Sequence, residues 1–437
     1  MQGEARTHAM IWIGYTTRYR DGGEKMARAA RTMAHEKAAA GAAVRCEAVE
    51  SKGAFAAAMQ RLVDEGAALS ELHLIAHSGM YGPMFGTTDW PEQLSPHEWR
   101  ALPIPFAAGG AAWFHSCRSA RWFAPFFART FQVPAHGYHW YTTFSSRPDR
   151  FRWEGPRPDA EAPLYVMGAP GRKSHGLAGS VLKYGLGRCE PPRRFEPDDA
   201  GGGSYDPVAE MYAEVFTDIR IRADEWRWLS ARVPDGARVL DIGCGNGALL
   251  AQLSGQIRSG VGVDASAGQL AQARQHCAGM AHLSFQQVDG PRLDLPDDSI
   301  DVAVSLLSWR YLDWDPLLQE LERVLTPSGR LLVVDMAASP ARARELPRLV
   351  ADGARSIQGR WQRQGARAAL KRMVQDPRWQ EMLRYNPIRA EHEYRWYLES
   401  RFPGRSVTVL NVGWHARVLA FDSGPFSGAS LREMSYP

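Results

Sequence analysis

The stretch Val239-Leu240-Asp241-Ile242-Gly243-Cys244-Gly245-Asn246-Gly247 constrains this chain more than any other. A short apolar run ends on a carboxylate, meets three glycines at alternate positions and passes at once into a helix-forming segment, Ala248 to Leu253. Glycines at such a turn let the backbone bend sharply and let a ligand come close. The helix behind them opens with free N–H groups. The spacing is D-x-G-x-G-x-G. A dinucleotide fingerprint, G-x-G-x-x-G, cradles a pyrophosphate, and here the third glycine arrives one position early. A carboxylate at this point repels phosphate and suits a cationic ligand, which leaves a dinucleotide-dependent oxidoreductase as a weak reading.

Further acidic strand ends follow in order. Gly260 to Asp264 is a second apolar strand closed by a carboxylate, which can accept both hydroxyls of a ribose. A helix from Ala267 to His276 leads to a third strand, Leu283 to Asp289, and Asp301 to Leu307 reads as a fourth. Leu325-Thr326-Pro327-Ser328-Gly329 then turns into a fifth, ending near Val334. Taken together, these motifs resemble class I S-adenosylmethionine-dependent methyltransferases from about Tyr205 to Phe421, with a mild departure at Ser328 from the Leu-x-Pro-Gly-Gly often found there. The resemblance implies an α/β fold: a seven-stranded Rossmann-like sheet with an antiparallel last strand. It also implies S-adenosyl-L-methionine as cofactor.

Its cofactor-binding set would be Asp241, Gly243, Cys244, Gly245, Gly247, Asp264 on the ribose, Asp289 on the adenine amino group, and Ser305. The acceptor pocket of such enzymes often follows the fourth strand, so Trp309 and Tyr311 join Tyr212 and Phe216 as an expected aromatic wall; ordinary core packing of these four stays open. Asp301 reads as a strand-capping carboxylate. Methyl transfer of this kind requires no metal, and a general base is needed only for a protonated acceptor; His392 and His415 are candidates.

A length of 437 residues suggests two or three domains. Prolines, charges and a glycine triplet from Cys189 to Ser204 read as a linker. The expected organisation is therefore a domain at 1–188, a linker at 189–204 and a methyltransferase domain at 205–437. Before the glycine turn, Asp206 to Leu229 reads as one or two amphipathic helices. Pro340 to Trp379 is an arginine-rich helical insertion fit to be a lid or an acceptor wall, and Ser406–Val412 with Ala416–Phe421 forms a closing strand pair.

The formal net charge is +4, and acidic residues are interleaved with the arginine clusters, so no nucleic-acid footprint is evident. No apolar run approaches the ~20 residues that span a bilayer. The five cysteines (Cys46, Cys117, Cys189, Cys244, Cys277) show no paired spacing, which fits a reducing cytoplasm.

The N-terminal half alternates strand and helix by itself. Strands are expected at Met10–Tyr15, Val44–Val49, Glu71–Ala76 and Ala111–Cys117, and helices at Lys25–Ala40, Phe55–Leu69, Ser95–Leu102 and Ser119–Phe131. Further strands are expected at Ala135–Thr142 and Leu164–Gly168. His77 and Cys117 each follow a buried apolar strand, at the edge where parallel sheets carry ligands. A histidine beside a cysteine can make a nucleophilic thiolate. Ile75-Ala76-His77-Ser78-Gly79, Gly86-Thr87-Thr88-Asp89 and Phe114-His115-Ser116-Cys117-Arg118-Ser119 resemble the caspase-like (clan CD) cysteine peptidases. Members carry His-Gly and Ala-Cys at the ends of adjacent strands; here Ser78 separates His77 from Gly79 and Ser116 replaces the alanine. Read singly, each residue is an ordinary buried side chain. Ser78 lacks the outer glycines of a nucleophile elbow, and a metal site from His73, His77 and His115 lacks a supporting carboxylate pattern.

These features lead to one principal expectation: methyl transfer from S-adenosylmethionine to a small-molecule, specialised-metabolite acceptor by a two-domain cytoplasmic biosynthetic enzyme, with no nucleic-acid or membrane partner. One alternative is a caspase-like cysteine peptidase or hydrolase whose methyltransferase-like half senses cofactor or acts as a scaffold. Another is an interaction module whose N-terminal half recruits a partner or forms a homodimer.

Overall fold

Ile11, Trp12 and Ile13 point alternately to the two faces of one strand, and each face carries its own core. The computed structural model describes residues 9–152, 159, 161–169, 176–198, 206–216, 223–339, 341–347, 349, 371–380, 389–414 and 416–426. The chain divides into two compact units, Met1–Gly201 and Gly202–Pro437.

In the first unit, strands β1 (Ala9–Tyr15), β2 (Ala43–Ala48), β3 (Ala68–Ile75), β4 (Phe106–His115) and β5 (Ala135–Gly137) run parallel in the order β5-β4-β3-β1-β2. Parallel pairing requires crossovers. Helices α1 (Gly23–Ala39), α2 (Lys52–Asp64), α3 (Pro96–Ala101) and α4 (Phe123–Phe131) supply them. Ser51 caps α2, and a Ser95–Glu98 capping box starts α3. The aromatic stripe of α4, Phe123 and Phe127, packs on Phe114 and Trp99. A hairpin of β6 (Thr142–Ser145) and β7 (Tyr165–Gly168) stands beside this sheet.

Two expectations change here. The segment 135–142, read as one strand, is split between β5 and β6 by Tyr138 to Tyr141. The presumed linker contains β8 (Arg193–Phe195), which adds antiparallel to β5 as the sheet edge. Charged residues, which argued for a loop, are also what protects an exposed edge. Residues 199–205 lie outside the described residues.

In the second unit, a seven-stranded sheet takes the order β11-β10-β9-β12-β13-β15-β14. Its strands are β9 (Arg238–Ile242), β10 (Ser259–Asp264), β11 (Leu283–Gln287), β12 (Ile300–Leu306), β13 (Leu325–Ala338), β14 (Thr408–Val412) and β15 (Ala416–Pro425). Only β15 runs against its neighbours. This is the expected sheet with its expected antiparallel last strand.

The preceding segment forms two helices, α5 (Ala209–Phe216) and α6 (Ala223–Ser230). Helices α7 (Ala248–Leu253), α8 (Ala267–His276), α9 (Trp314–Val324) and α10 (Glu391–Arg401) complete what the site needs. The order reverses between β9 and β12, and this is where open α/β sheets hold ligands. Of the arginine-rich insertion, 350–370 lies outside the described residues, but buried Met373 packs with Met211, Tyr212 and Trp379. No helix among the described residues is long and apolar enough to cross a membrane.

Candidate functional site

The apolar run Val239–Ile242 is wholly buried and delivers the chain to the glycine turn. Gly243, Gly245 and Gly247 all adopt the left-handed conformation, at φ 72°, 52° and 74°. A Cβ on Gly243 would fall 2.4 Å from Cβ of Ser308, and one on Gly247 would press the Phe285 ring at 3.1 Å. Gly247 is thus a packing glycine that opens α7, whereas Gly243 and Gly245 face a cleft. That cleft is lined by Asp241, Gly243, Cys244 and Gly245 from the turn, by Leu306 and Leu307 from the end of β12, and by Tyr212 from α5.

Asp264 ends β10 beside this turn. Its Oδ2 accepts the Gly245 N–H at 2.9 Å and its Oδ1 the Ser266 N–H at 2.9 Å, so the carboxylate pins the turn. Asp241 is fully buried, and that burial, with the charge of Asp264 added, pushes its carboxyl up to about 8. Two neighbouring carboxyl groups are a poor place for phosphate and a good one for an ammonium or sulfonium.

Sequence reading missed Gln269, which lies in the first turn of α8 with its N–H capped by Ser266. Both side-chain amide atoms are buried and bonded to nothing among the described residues. Oε1 lies 3.7 Å, and Tyr212 Cε1 3.9 Å, from where a Cβ on Gly245 would stand. The paired carboxylates, the glycine cradle and this orphaned amide together fit an adenosine carrying a cationic aminoacyl group. No local motif marks Gln269; only its position five residues beyond Asp264 could have drawn notice.

Past β12 the chain makes a tight turn through Leu307, held at φ 61°. Ser308 Oγ donates to the Ile242 carbonyl at 2.6 Å and lies 2.7 Å from Ser305 Oγ. Ser305 is wholly buried and stands behind Ser308, its hydroxyl against that of Ser308. Trp309 is also wholly buried and stacked on Trp314, the core packing that the sequence left open for it. Tyr311 remains half-buried beneath the Arg310 guanidinium, 4.6 Å from the ring centre.

Arg310 in turn donates backbone N–H and guanidinium to buried Asp335, which also accepts the Tyr394 hydroxyl at 2.9 Å. Asp289 is exposed beyond β11. His392 is exposed on α10. His415 and the side chain of Phe216 lie outside the described residues. Asp301 holds Arg238 through a bidentate pair, as a strand-capping carboxylate would.

In the N-terminal unit, Ile75 pairs with His115, so His77 and Cys117 stand two residues beyond one register pair at the same sheet edge. Their hydrogen bonds diverge. His77 Nε2–H donates to the Asp21 carbonyl at 2.9 Å, leaving Nδ1 as the basic nitrogen, and burial lowers its pKa so that the ring is neutral at pH 7. Cys117 Sγ accepts the Thr142 N–H at 3.3 Å. Ser78, the alternative nucleophile, spends its hydroxyl on the Cys117 carbonyl. Arg118, next to the thiol, is held at φ 60°.

The neighbouring histidines form a chain. Lys37 and His73 Nε2 both meet Glu71, His73 Nδ1 lies 3.0 Å from His115 Nε2, and Trp113 stacks between His73 and His136. His73 and His115 meet each other while His77 meets the Asp21 carbonyl, and no metal-holding group of His, Cys, Asp or Glu occurs among the described residues.

Residues 240–333 match a family model described as a methyltransferase domain. The chain is 40% identical over 149 residues to an arsenite methyltransferase of Aquipseudomonas alcaligenes, covering 31% of this chain and 43% of that protein. It is 33% identical over 138 residues to the methyltransferase GfsG of Streptomyces halstedii, covering 30% and 47%. It is 30% identical over 141 residues to a demethylmenaquinone methyltransferase of Clavibacter sepedonicus, covering 31% and 58%. The chain thus spans about half the length of these relatives. Among solved structures, an Aquifex aeolicus S-adenosylmethionine-dependent methyltransferase aligns at 19% identity and TM-score 0.32, over 50% of this chain and 93% of that one.

Proposed function

We propose that the C-terminal unit is a class I S-adenosylmethionine-dependent methyltransferase domain and that this protein methylates a small-molecule acceptor with S-adenosylmethionine as the methyl donor, a reading supported by the match of residues 240–333 to a methyltransferase family model. The observation that carries this reading is the pair Asp241 and Asp264 on adjacent strand ends around a glycine turn, at the point where the sheet order reverses. S-adenosylmethionine supplies an electrophilic sulfonium methyl open to in-line displacement. Asp264 binds the ribose, Asp241 faces the aminoacyl ammonium, exposed Asp289 is available to the adenine, and Tyr212 covers Gly245 against water. Such positioning removes about 7–11 kcal/mol of barrier when the reacting atoms are held aligned.

A small acceptor is supported by relatives named for arsenite and demethylmenaquinone. A specialised metabolite and a cytoplasmic setting belong to the same reading, and all five cysteines are free, as a reducing compartment requires. Titration with S-adenosylhomocysteine tests the cofactor site. S-adenosylhomocysteine release on incubation with pooled small metabolites tests the transfer. Absence of both overturns the proposal.

A second reading is motivated by the shared edge of His77 and Cys117: the N-terminal unit is a caspase-like hydrolase. In it, His77 Nδ1 takes the Cys117 proton, the thiolate attacks an acyl carbon, the leaving amine departs with that proton, and water, giving a proton to His77, then cleaves the thioester so that the acid leaves and the thiol is restored. The reading requires the thiol to leave Thr142. Hydrolysis of peptide anilides that is lost in Cys117→Ala, with S-adenosylhomocysteine binding intact, supports it; no hydrolysis by the unaltered chain removes it.

A further inference from the structure

We propose that the helix Gly176–Ser180, with the π-helical turn Val181–Gly185 that continues it, docks the N-terminal unit on an anionic bilayer surface. The segment is built inside out. Leu177, Val181 and Tyr184 are 85%, 51% and 40% exposed, whereas Lys183 is 5% exposed. A surface helix ordinarily turns its apolar stripe inward and its lysine outward. Here the fold buries the charged residue and presents the stripe. Residues three and four apart are neighbours on a helix surface, so these three run along one side. The Leu186 N–H donates to the Val181 carbonyl at 3.0 Å, which brings Leu186, 58% exposed, to the end of the stripe. These four make up half of the eight large apolar side chains exposed among the described residues.

The charges around the stripe identify its occupant. From Gly171 to Cys189 the sequence has four basic residues, Arg172, Lys173, Lys183 and Arg188, and no acidic one. Phe151 meets Tyr184 with ring centres 6.5 Å apart, so exposed Arg150 and Arg152 flank the same spot. The one carboxylate of that turn, Asp149, is paired with Arg147. Aliphatic side chains and a tyrosine among cations suit the headgroup layer of an anionic membrane. A stable protein complex buries about 1,200 Å² or more, which a stripe of four side chains does not supply; a bilayer sets no such minimum. Gly176, Gly179 and Gly185 fall within these ten residues and make the helix a poor one in water. That favours a segment completed by the surface it meets. The expectation of no membrane partner rested on spanning length, and a docked helix needs none.

The test mixes the full chain with vesicles of phosphatidylcholine alone and of equimolar phosphatidylcholine and phosphatidylserine, and reads the lipid-bound fraction by sedimentation. The unaltered protein should partition onto the anionic vesicles about tenfold better than onto the neutral ones, and added salt should weaken the preference. Leu177→Ser with Leu186→Ser, and separately Arg150→Gln with Arg188→Gln, should each lower the partition about tenfold. All four residues are exposed, so the melting temperature should not move, which separates lost docking from lost folding. No uptake by anionic vesicles, equal uptake by neutral ones, or uptake that both double substitutions leave intact overturns the proposal. A dimer that Leu177→Ser with Leu186→Ser dissociates, without vesicle uptake, also overturns it and gives the stripe to a second copy of this chain.

Discussion

Asp241 and Asp264 lie at the ends of adjacent parallel strands, and burial together with the second charge lifts the carboxyl of Asp241 to about 8. The free site is therefore protonated at neutral pH, although it is built from residues that are ordinarily anionic. A cationic ligand would restore the ordinary state.

Cofactor binding should accordingly be coupled to proton release. Near pH 7, S-adenosylhomocysteine, which carries the same ammonium, should expel up to one proton and bind more tightly as pH rises from 6 to 8. Calorimetry in buffers of different ionisation enthalpy reads this directly. Asp241→Asn should weaken binding and abolish the pH dependence. The sign for stability is opposite: a carboxyl raised in the fold stabilises the ligand-free unit at low pH and loses that contribution as pH climbs from about 4 to about 8.

Asp264→Ala should weaken S-adenosylhomocysteine at least tenfold. It also removes two backbone hydrogen bonds, from Gly245 and Ser266, at about 1 kcal/mol each. A melting curve should show that loss of stability even without ligand.

Gly243→Ala should be severe. A left-handed backbone and a Cβ 2.4 Å from Ser308 combine to cost about 2–4 kcal/mol. Gly255→Ala, where a Cβ meets nothing within 4 Å, is the matched control and should stay within about 0.5 kcal/mol of the unaltered protein. Chemical denaturation compares the two.

The N-terminal unit should weaken in acid in two stages. Burial holds His73 and His115 below the ordinary 6.5, so unfolding takes up protons once pH falls below that value and stability declines. The hydrogen bond from His73, then that from Lys37, holds Glu71 at about 2, which adds a second loss between 4.5 and 2. Denaturation midpoints at pH 7.5, 5.5 and 4 should fall in that order.

The strand ends of the second unit were legible because each is a local pattern: apolar run, carboxylate, glycine. Residues whose role depends on distant partners were not. Ser308 matters through Ile242, and Arg310 through Asp335 and Tyr394, 25 and 84 positions away. Trp309 looked like a pocket aromatic because it follows β12, yet the turn rotates it into the core. Arg193–Phe195 looked like linker because edge strands and loops share charged composition. In the N-terminal unit the sequence placed His77 and Cys117 on one edge, but it could not show that Asp21 and Thr142 would take their hydrogen bonds.

The Ser308 hydroxyl ties the turn after β12 to the strand that feeds the glycines. Any drift of that turn to admit a new acceptor would therefore loosen the grip on the methyl donor. Descendants of this chain that change their target should do so by altering walls other than 305–311, and this short stretch should vary least among them.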